Sequence, residues 1–360
     1  MANLNENQFV PDYVVPPGEI LEDYLESYGM TQVELADRLG FTTKTVNEIV
    51  KGKAPITADT SIKLERVFSR PAHFWNNLER QYQEDLARLA EQERLNQHLD
   101  WLTRVPVTNM VKLGFIERFK DKVAQLNEVL RFFGVASPEQ WEKVWQQHQV
   151  AYRQQAKNFD ACAIAVSAWL RQGEIKAQQI ERPEFNKQHF QEILGVVREL
   201  TTETPEVFQP RLIELCSHAG VAVVFVPDLP KTGVSGATRW VGGKPVIQLS
   251  LRYKTNDHLW FTFFHEAGHI IKHGKKAIFL EGNGMGGDQE EEANAFARNI
   301  LIPPAAYKEF LVTSTRSLAE IQTFAAHIGI APGIVVGRLQ HDGFLPMNTG
   351  NGLKVRYEWA

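Results

Sequence analysis

The segment that most limits how this chain can fold is FTFFHEAGHIIKHG, at residues 261–274. Its histidines lie four residues apart, at His265, His269 and His273. In a helix, side chains at this spacing share one face and lie about 6 Å apart along the axis. The flanking residues are mostly apolar, which is not typical of a solvated surface. The segment therefore predicts a buried helix whose polar side chains need partners inside the protein.

Residues 265–269 form an HExxH motif, the signature of zinc metallopeptidases. His265 and His269 can bind one zinc ion, whereas Glu266 projects about 100° to the side. That position suits a general base for water attacking a peptide carbonyl. A continuous helix places His273 about 12 Å from His265, and zinc–nitrogen bonds are only about 2 Å long. We therefore interpret His273 as a helix-end residue.

The third zinc ligand should come from DQEEEANAFARNILIPP (288–304), which predicts a second helix ended by two prolines. Glu290 and Asn294 share one face with small alanines, which allow another helix to approach closely. Glu290 is the predicted ligand, and Glu292, on a different face, is the alternative. The Glu-xxx-Asn spacing resembles the Glu-xxx-Asp arrangement of thermolysin-like enzymes, which indicates that Asn294 supports a ligating histidine.

The segment VIQLSLRY (246–253) alternates apolar and polar residues, which predicts a strand with one buried and one exposed face. An edge strand beside the zinc helix could bind an extended peptide by strand addition. Arg252 and Tyr253 are candidates for stabilising the oxyanion or contacting substrate. Each is also explained as a simple sheet-edge residue.

Near the other end of the chain, residues 29–57 predict two short helices joined by a glycine turn. Thr31 with Glu34 three residues later forms a capping box, and Gly40 suits a left-handed helix end. The second helix stops at Gly52. Two such helices have helix-turn-helix geometry, in which the second helix enters the major groove of DNA.

The outward face of the second helix carries Lys44, Asn47 and Lys51, with Thr45 on its flank. Lys44 and Lys51 suit phosphate contacts, and Asn47 can read an adenine edge. A plain helical hairpin with a solvated face would show the same pattern. The spacing alone does not decide between the two interpretations.

The first 85 or so residues resemble the XRE-type helix-turn-helix family and, more narrowly, the HigA-like antitoxins. The resemblance rests on residues 16–21, 30–57, 58–68 and 71–83. It implies binding to a double-stranded DNA operator as a homodimer, with a cognate toxin or repressor as a protein partner.

The C-terminal part resembles the ImmA/IrrE family of metallopeptidases, through residues 222–240, 244–276 and 290–303. The resemblance implies a thermolysin-like minimal fold and narrow cleavage, typically of an XRE-type repressor. It also implies zinc ligands at His265, His269 and Glu290 and a general base at Glu266.

Residue composition and the spacing of apolar residues divide the chain into three regions and predict an α+β protein. Residues 1–90 form an all-helical helix-turn-helix domain, and residues 91–215 form a helical middle region. Residues 216–360 contain most of the glycines and strand-like runs, and the resemblance to the ImmA/IrrE family implies that they form a small thermolysin-like zinc peptidase domain with a short antiparallel sheet.

Charge, cysteines and hydropathy constrain partners and location. The net charge of −4 restricts any DNA contact to a local patch. Cys162 and Cys216 form no CxxC pair and are interpreted as buried thiols. The opening residues do not resemble a secretory signal, and no apolar run is long enough to span a membrane. We therefore predict a cytoplasmic protein that does not associate with membranes.

These features predict a DNA-binding transcriptional regulator, of the antitoxin type, that carries a zinc-dependent endopeptidase acting on a specific protein. In one alternative, the chain is a DNA-binding repressor or antitoxin whose zinc domain is a sensor or scaffold without turnover. In another, it is a constitutive peptidase whose helix-turn-helix mainly dimerises or docks a partner.

Overall fold

A computed structural model describes residues 14–145, 163–274, 279–282 and 287–359. The chain forms two compact units, Met1–His98 and Leu99–Ala360. Most of the helical middle region belongs to the second unit. The domain boundaries at residues 90 and 215 stay predictions.

The first unit is all-helical within its described residues, as the sequence predicts. Its helices are α1 (Pro17–Ser27), α2 (Gln32–Leu39), α3 (Thr43–Val50), α4 (Ala58–Phe68) and α5 (Ala72–Asn96).

The start of α2 is fixed by the predicted capping box. The Glu34 N–H donates to Thr31 Oγ1 over 3.2 Å, and the Thr31 N–H donates to Glu34 Oε2 over 2.9 Å. Gly40 ends the helix with a φ of 67°, in the left-handed region that favours glycine. Leu35, Val46 and other apolar residues of α2 and α3 then pack into one buried core. Local capping and burial of one face therefore set the turn between these two helices.

The second unit combines helices with a small sheet. Its helices include α6 (Val107–Lys112), α7 (Lys122–Phe133), α8 (Ala163–Gln178), α9 (Lys187–Glu199), α10 (Pro205–His218), α11 (Asn256–His273), α12 (Asp288–Leu301), α13 (Pro304–Thr313), α14 (Leu318–Ile328) and α15 (Pro332–His341). Residues 138–145 are also helical. Its strands are β1 (Ala222–Phe225), β2 (Val234–Val241), β3 (Lys244–Leu249) and β4 (Phe279–Gly282).

Within the described residues the strands form one four-stranded sheet in the order β1-β3-β2-β4. β2 pairs antiparallel with both β3 and β4, as the sequence predicts for this sheet. β2 and β3 form a hairpin through Gly242 and Gly243, whose φ values of 58° and 81° suit a tight turn. β1 adds to the other side of β3 and runs parallel to it, which makes the sheet mixed.

The expectation that residues 246–253 form an edge strand with one exposed face is wrong. β3 ends at Leu249 and lies between β1 and β2. Its second face is covered by α8, where the Gln248 amide Nε2 donates to the Trp169 carbonyl over 2.7 Å. Gln248 is therefore fully buried, and its polar side chain forms a hydrogen bond with a buried backbone group and not with solvent.

The helices α11 and α12 pack closely because small residues meet where they cross. A Cβ placed on Gly268 would lie 3.2 Å from the Ala293 Cα atom. The predicted role of the alanines on α12 is thus consistent with the packing. The α14–α15 pair, whose spacing also suggests helix-turn-helix, contributes Ile321, Phe324, Ile334 and Val335 to the same core as α11.

The start of α11 is held by a segment from much later in the chain, residues 354–357. The Asn256 N–H donates to the Val355 carbonyl over 2.9 Å, and the Tyr357 N–H donates to the Lys254 carbonyl over 2.8 Å. We call residues 354–357 the C-terminal strap.

Two further sequence predictions concern thiols and membranes. Cys216 is a buried free thiol, and burial raises its pKa well above the usual range. Cys162 lies outside the described residues. In the described part of the chain, α14 and α15 reach the length and apolarity of a membrane span only as a pair bent by 115°, and no single helix does.

Candidate metal centre and candidate nucleic-acid interface

His265, His269 and Glu290 converge at the contact between α11 and α12. The Nε2 atoms of the two histidines lie 3.0 Å apart. The Glu290 carboxylate oxygens lie 3.2 Å from His265 Nε2 and 3.4 Å from His269 Nε2. All three residues are buried, with exposed fractions of 1%, 1% and 8%. One ligand atom from each lies within 4.8 Å of the others.

The spacing of these atoms fits a tetrahedral metal ion. Zinc bonds to nitrogen and oxygen are about 2.0–2.2 Å long, so ligand atoms of a tetrahedral site lie about 3.3 Å apart. The separations of 3.0, 3.2 and 3.4 Å lie close to that value, the last two being to different oxygens of the Glu290 carboxylate. A His₂Glu set leaves a fourth position open, as in catalytic zinc sites. The residues present therefore fit a divalent metal of the zinc type.

The protonation states of the cluster favour metal binding. Burial lowers the pKa of His269 to about 4, so its imidazole is neutral at pH 7. Burial alone would raise the pKa of Glu290, but hydrogen bonds with His265 and His269 bring it down to about 2. Neutral imidazole and ionised carboxylate are the forms that bind a metal.

Neighbouring side chains orient the two histidines of the candidate metal centre. His265 Nδ1 lies 3.0 Å from Asn294 Oδ1, an acceptor that fixes the proton on Nδ1 and directs the Nε2 lone pair to the metal position. This contact is the one expected of a supporting residue, and the role of Asn294 stays a prediction.

His269 has a different support, which the sequence interpretation missed. Its Nδ1 lies 3.0 Å from His273 Nδ1, and His273 Nε2 lies 2.9 Å from a Glu292 carboxylate oxygen. His273 is thus more than a helix-end residue, and Glu292, the alternative ligand, contacts His273. The i, i+4 spacing of His269 and His273 is the sequence signal that could have indicated this contact.

Glu266 is fully buried beside β2. A Cβ on Gly236 of β2 would lie 2.8 Å from Glu266 Oε1 and 2.4 Å from the Thr262 methyl group, so only glycine leaves room for the carboxylate. The Thr238 hydroxyl donates to the Glu266 carbonyl over 3.0 Å. β2 thereby positions the predicted base, and the sequence interpretation did not identify Gly236 or Thr238.

Arg252 and Tyr253 follow β3 and precede α11. The Tyr253 ring stacks on His258 with centroids 4.3 Å apart, and the Arg252 guanidinium lies 5.3 Å from the Tyr253 ring centroid. His258 is seven residues before His265, about 10 Å along the helix. The proposed oxyanion or substrate role of Arg252 and Tyr253 stays a prediction.

The predicted DNA-contacting residues lie on and just after α3. Lys44 has 84% of its side chain exposed, with Glu48 at 3.8 Å, and Lys51 is exposed at the C-cap of the helix. The Thr45 N–H donates to the Thr42 hydroxyl over 3.1 Å, within the N-terminal cap. Lys44 and Lys51 are therefore accessible to phosphate.

Asn47 is half-buried and its amide Nδ2 donates to Gln32 Oε1 over 3.1 Å. Gln32 begins α2, so the bond joins the two helices of the motif. It restrains the amide of Asn47 and leaves its carbonyl oxygen as an acceptor. Sequence spacing did not identify Gln32 as the partner of Asn47.

Comparison with known families matches both units. A helix-turn-helix family model matches residues 21–75, and the model of the IrrE N-terminal-like domain, a peptidase family, matches residues 216–340.

Individual relatives match the first unit. The virulence-associated protein I of Dichelobacter nodosus is 41% identical over 81 residues, which cover 22% of this chain and 72% of that protein. An uncharacterised helix-turn-helix transcriptional regulator of Haemophilus influenzae is 35% identical over 83 residues, covering 23% of this chain and 76% of that protein.

Among solved structures, PA4674 of Pseudomonas aeruginosa in complex with its operator DNA is 37% identical, with a TM-score of 0.21. The matched region covers 22% of this chain and 85% of PA4674. The antitoxin HigA of Pseudomonas aeruginosa with the higBA promoter is 34% identical, with a TM-score of 0.23. The matched region covers 24% of this chain and 94% of that antitoxin. The chain thus belongs to the XRE-type helix-turn-helix regulators and carries in its second unit an IrrE N-terminal-like peptidase domain.

Proposed function

We propose that this chain is an operator-binding transcriptional regulator whose second unit is a zinc-dependent endopeptidase specific for one protein partner. The observation that carries the proposal is the convergence of His265 and His269 of α11 with Glu290 of α12, with ligand atoms within 4.8 Å of one another. Glu266 lies on α11 next to His265. The family match places a peptidase domain over the same residues.

The residues support hydrolysis in separate ways. His265, His269 and Glu290 would hold the zinc ion, which when bound supplies Lewis acidity toward a peptide carbonyl. Glu266 would take the proton of the attacking water on its carboxylate and return it to the leaving amine. Burial against Gly236 and Thr262 holds that carboxylate in one position, which lowers the cost of ordering it during the reaction.

DNA binding is supported by the geometry of the first unit. Capping and burial hold α2 and α3 in a helix-turn-helix arrangement, which presents Lys44 and Lys51 to solvent and orients Asn47 through Gln32. We propose that two copies bind inverted half-sites about one helical turn apart, because one copy offers few cations.

Two measurements test the two halves of the proposal. Mapping of new protein N-termini in cells that express wild type or Glu266→Gln should reveal a cleavage found only with wild type. Equal sets of N-termini in both strains would count against the peptidase. A gel shift on DNA upstream of the gene, with and without chelator, should show sequence-specific binding, and its absence would count against the regulator.

A sensor or scaffold without turnover is the second candidate, and burial favours it. His265, Glu266 and His269 are 1%, 0% and 1% exposed, so substrate access requires some opening. For a sensor, metal removal would change operator affinity while Glu266→Gln would not. For the peptidase, Glu266→Gln would remove the cleavage and leave the metal content unchanged.

A further inference from the structure

Next to the metal centre lies a cavity of about 330 Å³, within the second unit. Known ligand pockets range from about 300 to 1,000 Å³, so the space suits one large side chain with its adjoining backbone. Much of its wall is apolar, formed by Tyr253, Phe261, Leu301, Ile302, Ile334 and Met347.

The two helices of the metal centre continue directly into this cavity. Phe261 lies one turn before His265 on α11, and their ring centroids are 6.2 Å apart. Arg298 lies one turn after Asn294 on α12 and lines the same cavity. A group bound at the metal position therefore lies within about one helical turn of the cavity wall.

The sheet connects the two places as well. Ser235 of β2 lines the cavity, and the next residue, Gly236, packs against the carboxylate of Glu266. Three separate elements thus lead from the reacting groups into the cavity. This arrangement is that of a subsite for a residue close to the scissile bond.

The cations in the cavity wall already have counter-ions. Arg298 pairs with Glu291 over 2.5 Å, and Arg338 pairs with Asp342 over 2.6 Å. Since these pairs are neutral overall, the wall offers little net attraction for a charged side chain. Burying a charge there would carry a desolvation cost without a free partner.

The third cation of the wall, Lys354, is paired as well. Lys354 Nζ lies 2.7 Å from Asp257 Oδ2 and donates to Gln340 Oε1 over 2.8 Å. Asp257 is 6% exposed, and its Oδ1 has no hydrogen-bond partner among the described residues. Because that oxygen is itself buried away from the cavity, an occupant meets another neutral ion pair at this place.

Part of the wall comes from residues after the range that the peptidase family model matches. The family match ends at residue 340, whereas Met347 and Lys354 line the cavity. Met347 is 72% exposed and so lies at the solvent side of the cavity.

We infer that this cavity is a substrate subsite beside the scissile bond, that it selects a large uncharged side chain, and that Met347 helps to set the selection. Phenylalanine, tyrosine and tryptophan match it best, because each has a large, mostly apolar side chain without charge. The inference rests on the proposed peptidase function and names the substrate class that it requires.

The test uses zinc-loaded full-length protein and small hydroxamates, which bind zinc through two oxygens and need no turnover. Amino-acid hydroxamates place a side chain before the zinc-binding group, and succinyl hydroxamates place one after it. Each series carries alanine, phenylalanine, tyrosine or aspartate side chains, and calorimetry gives the dissociation constants. In one series the tyrosine compound should bind at least tenfold tighter than the alanine and aspartate compounds.

Two matched variants locate the effect. Met347→Trp fills the cavity from its solvent side and should weaken the tyrosine compound at least tenfold while leaving the alanine compound unchanged. Val355→Trp changes another exposed apolar residue of the same segment, one that does not line the cavity, and should alter neither. Zinc content and thermal unfolding are measured for each variant.

Equal binding of all side chains in both series would overturn the subsite while leaving the metal centre intact. An unchanged tyrosine compound in Met347→Trp would also overturn it. Failure of every hydroxamate to bind a chain that contains zinc would instead overturn the open metal centre, and the subsite with it.

Discussion

The helices α3 and α11 both carry proposed functional side chains, but they present them in opposite environments. Lys44 on α3 is 84% exposed, whereas His265 and Glu266 on α11 are 1% and 0% exposed. Exposed groups keep their rotamer freedom until a partner orders them, and buried groups are ordered by the fold. The comparison teaches that damage to α11 should remove function outright, whereas damage to α3 should weaken it by degrees.

The largest expected effect is loss of metal. His265→Ala should reduce zinc from about one per chain to a small fraction, because two ligands hold it far less tightly than three. Glu290→Gln should lower zinc more than Glu292→Gln, since Glu292 acts only through His273. Elemental analysis measures this, and the reverse order for the two glutamates would move the third ligand to Glu292.

A backbone position should be nearly as sensitive as the ligands. Gly236→Ala places a methyl group 2.8 Å from Glu266 Oε1, so the carboxylate must move. Metal content should persist while cleavage falls by about 10²–10⁴-fold, the usual contribution of a general base. The matched control is Gly195→Ala on α9, where an added Cβ meets no atom within 4 Å. Wild-type cleavage by Gly236→Ala would show that β2 does not position the base.

Support of His269 should matter less than the ligands themselves. His273→Ala removes the hydrogen-bond partner of His269 Nδ1 and should weaken zinc binding by about 10–100-fold. Competition with a coloured chelator gives the affinity. His327→Ala, at an exposed histidine in the last turn of α14, is the control. Equal affinities in both variants would return His273 to the role of a helix-end residue.

The effects on α3 should be smaller and divisible. Asn47→Ala should cost about 1–3 kcal/mol of discrimination at one base pair, and Gln32→Ala should reproduce part of that loss by freeing the Asn47 amide. Binding titrations on operators with single base changes measure it. Discrimination retained by Asn47→Ala would place base reading on another residue.

The smallest effects should come from single phosphate contacts. Lys44→Ala and Lys51→Ala should each weaken binding to all sequences alike and reduce the salt slope by about one. Lys63→Ala on α4, a lysine paired with Asp59, should leave that slope unchanged. Unchanged operator binding by the Lys44, Asn47, Lys51 triple-alanine protein would contradict the assignment of α3 as the recognition helix.

The sequence predicted those features that depend on short spacings. His265 and His269 share a face because of helix geometry, and the Thr31–Glu34 capping box forms over three residues. The i, i+4 spacing of Glu290 and Asn294 likewise predicted that they share one face of a second helix. In each case the information lies within one or two turns.

What the sequence did not reveal depends on distant partners. Residues 246–253 alternate like an edge strand, but α8, about 80 residues earlier, covers the second face of β3. Gly236 matters because β2 passes Glu266, and Gln32 matters because α2 crosses α3. An alternating pattern indicates that the polar residues form hydrogen bonds on one face. It does not show whether their partners are water molecules or groups of a neighbouring helix.

The C-terminal strap also affects the order in which the two units can fold during synthesis. The contacts of the first unit close within 98 residues, so it can fold as soon as they leave the ribosome. The start of α11 pairs with residues 354–357, which at about 5–20 residues per second emerge roughly 10–50 s later. A newly made copy would therefore be able to bind an operator well before its metal unit is complete.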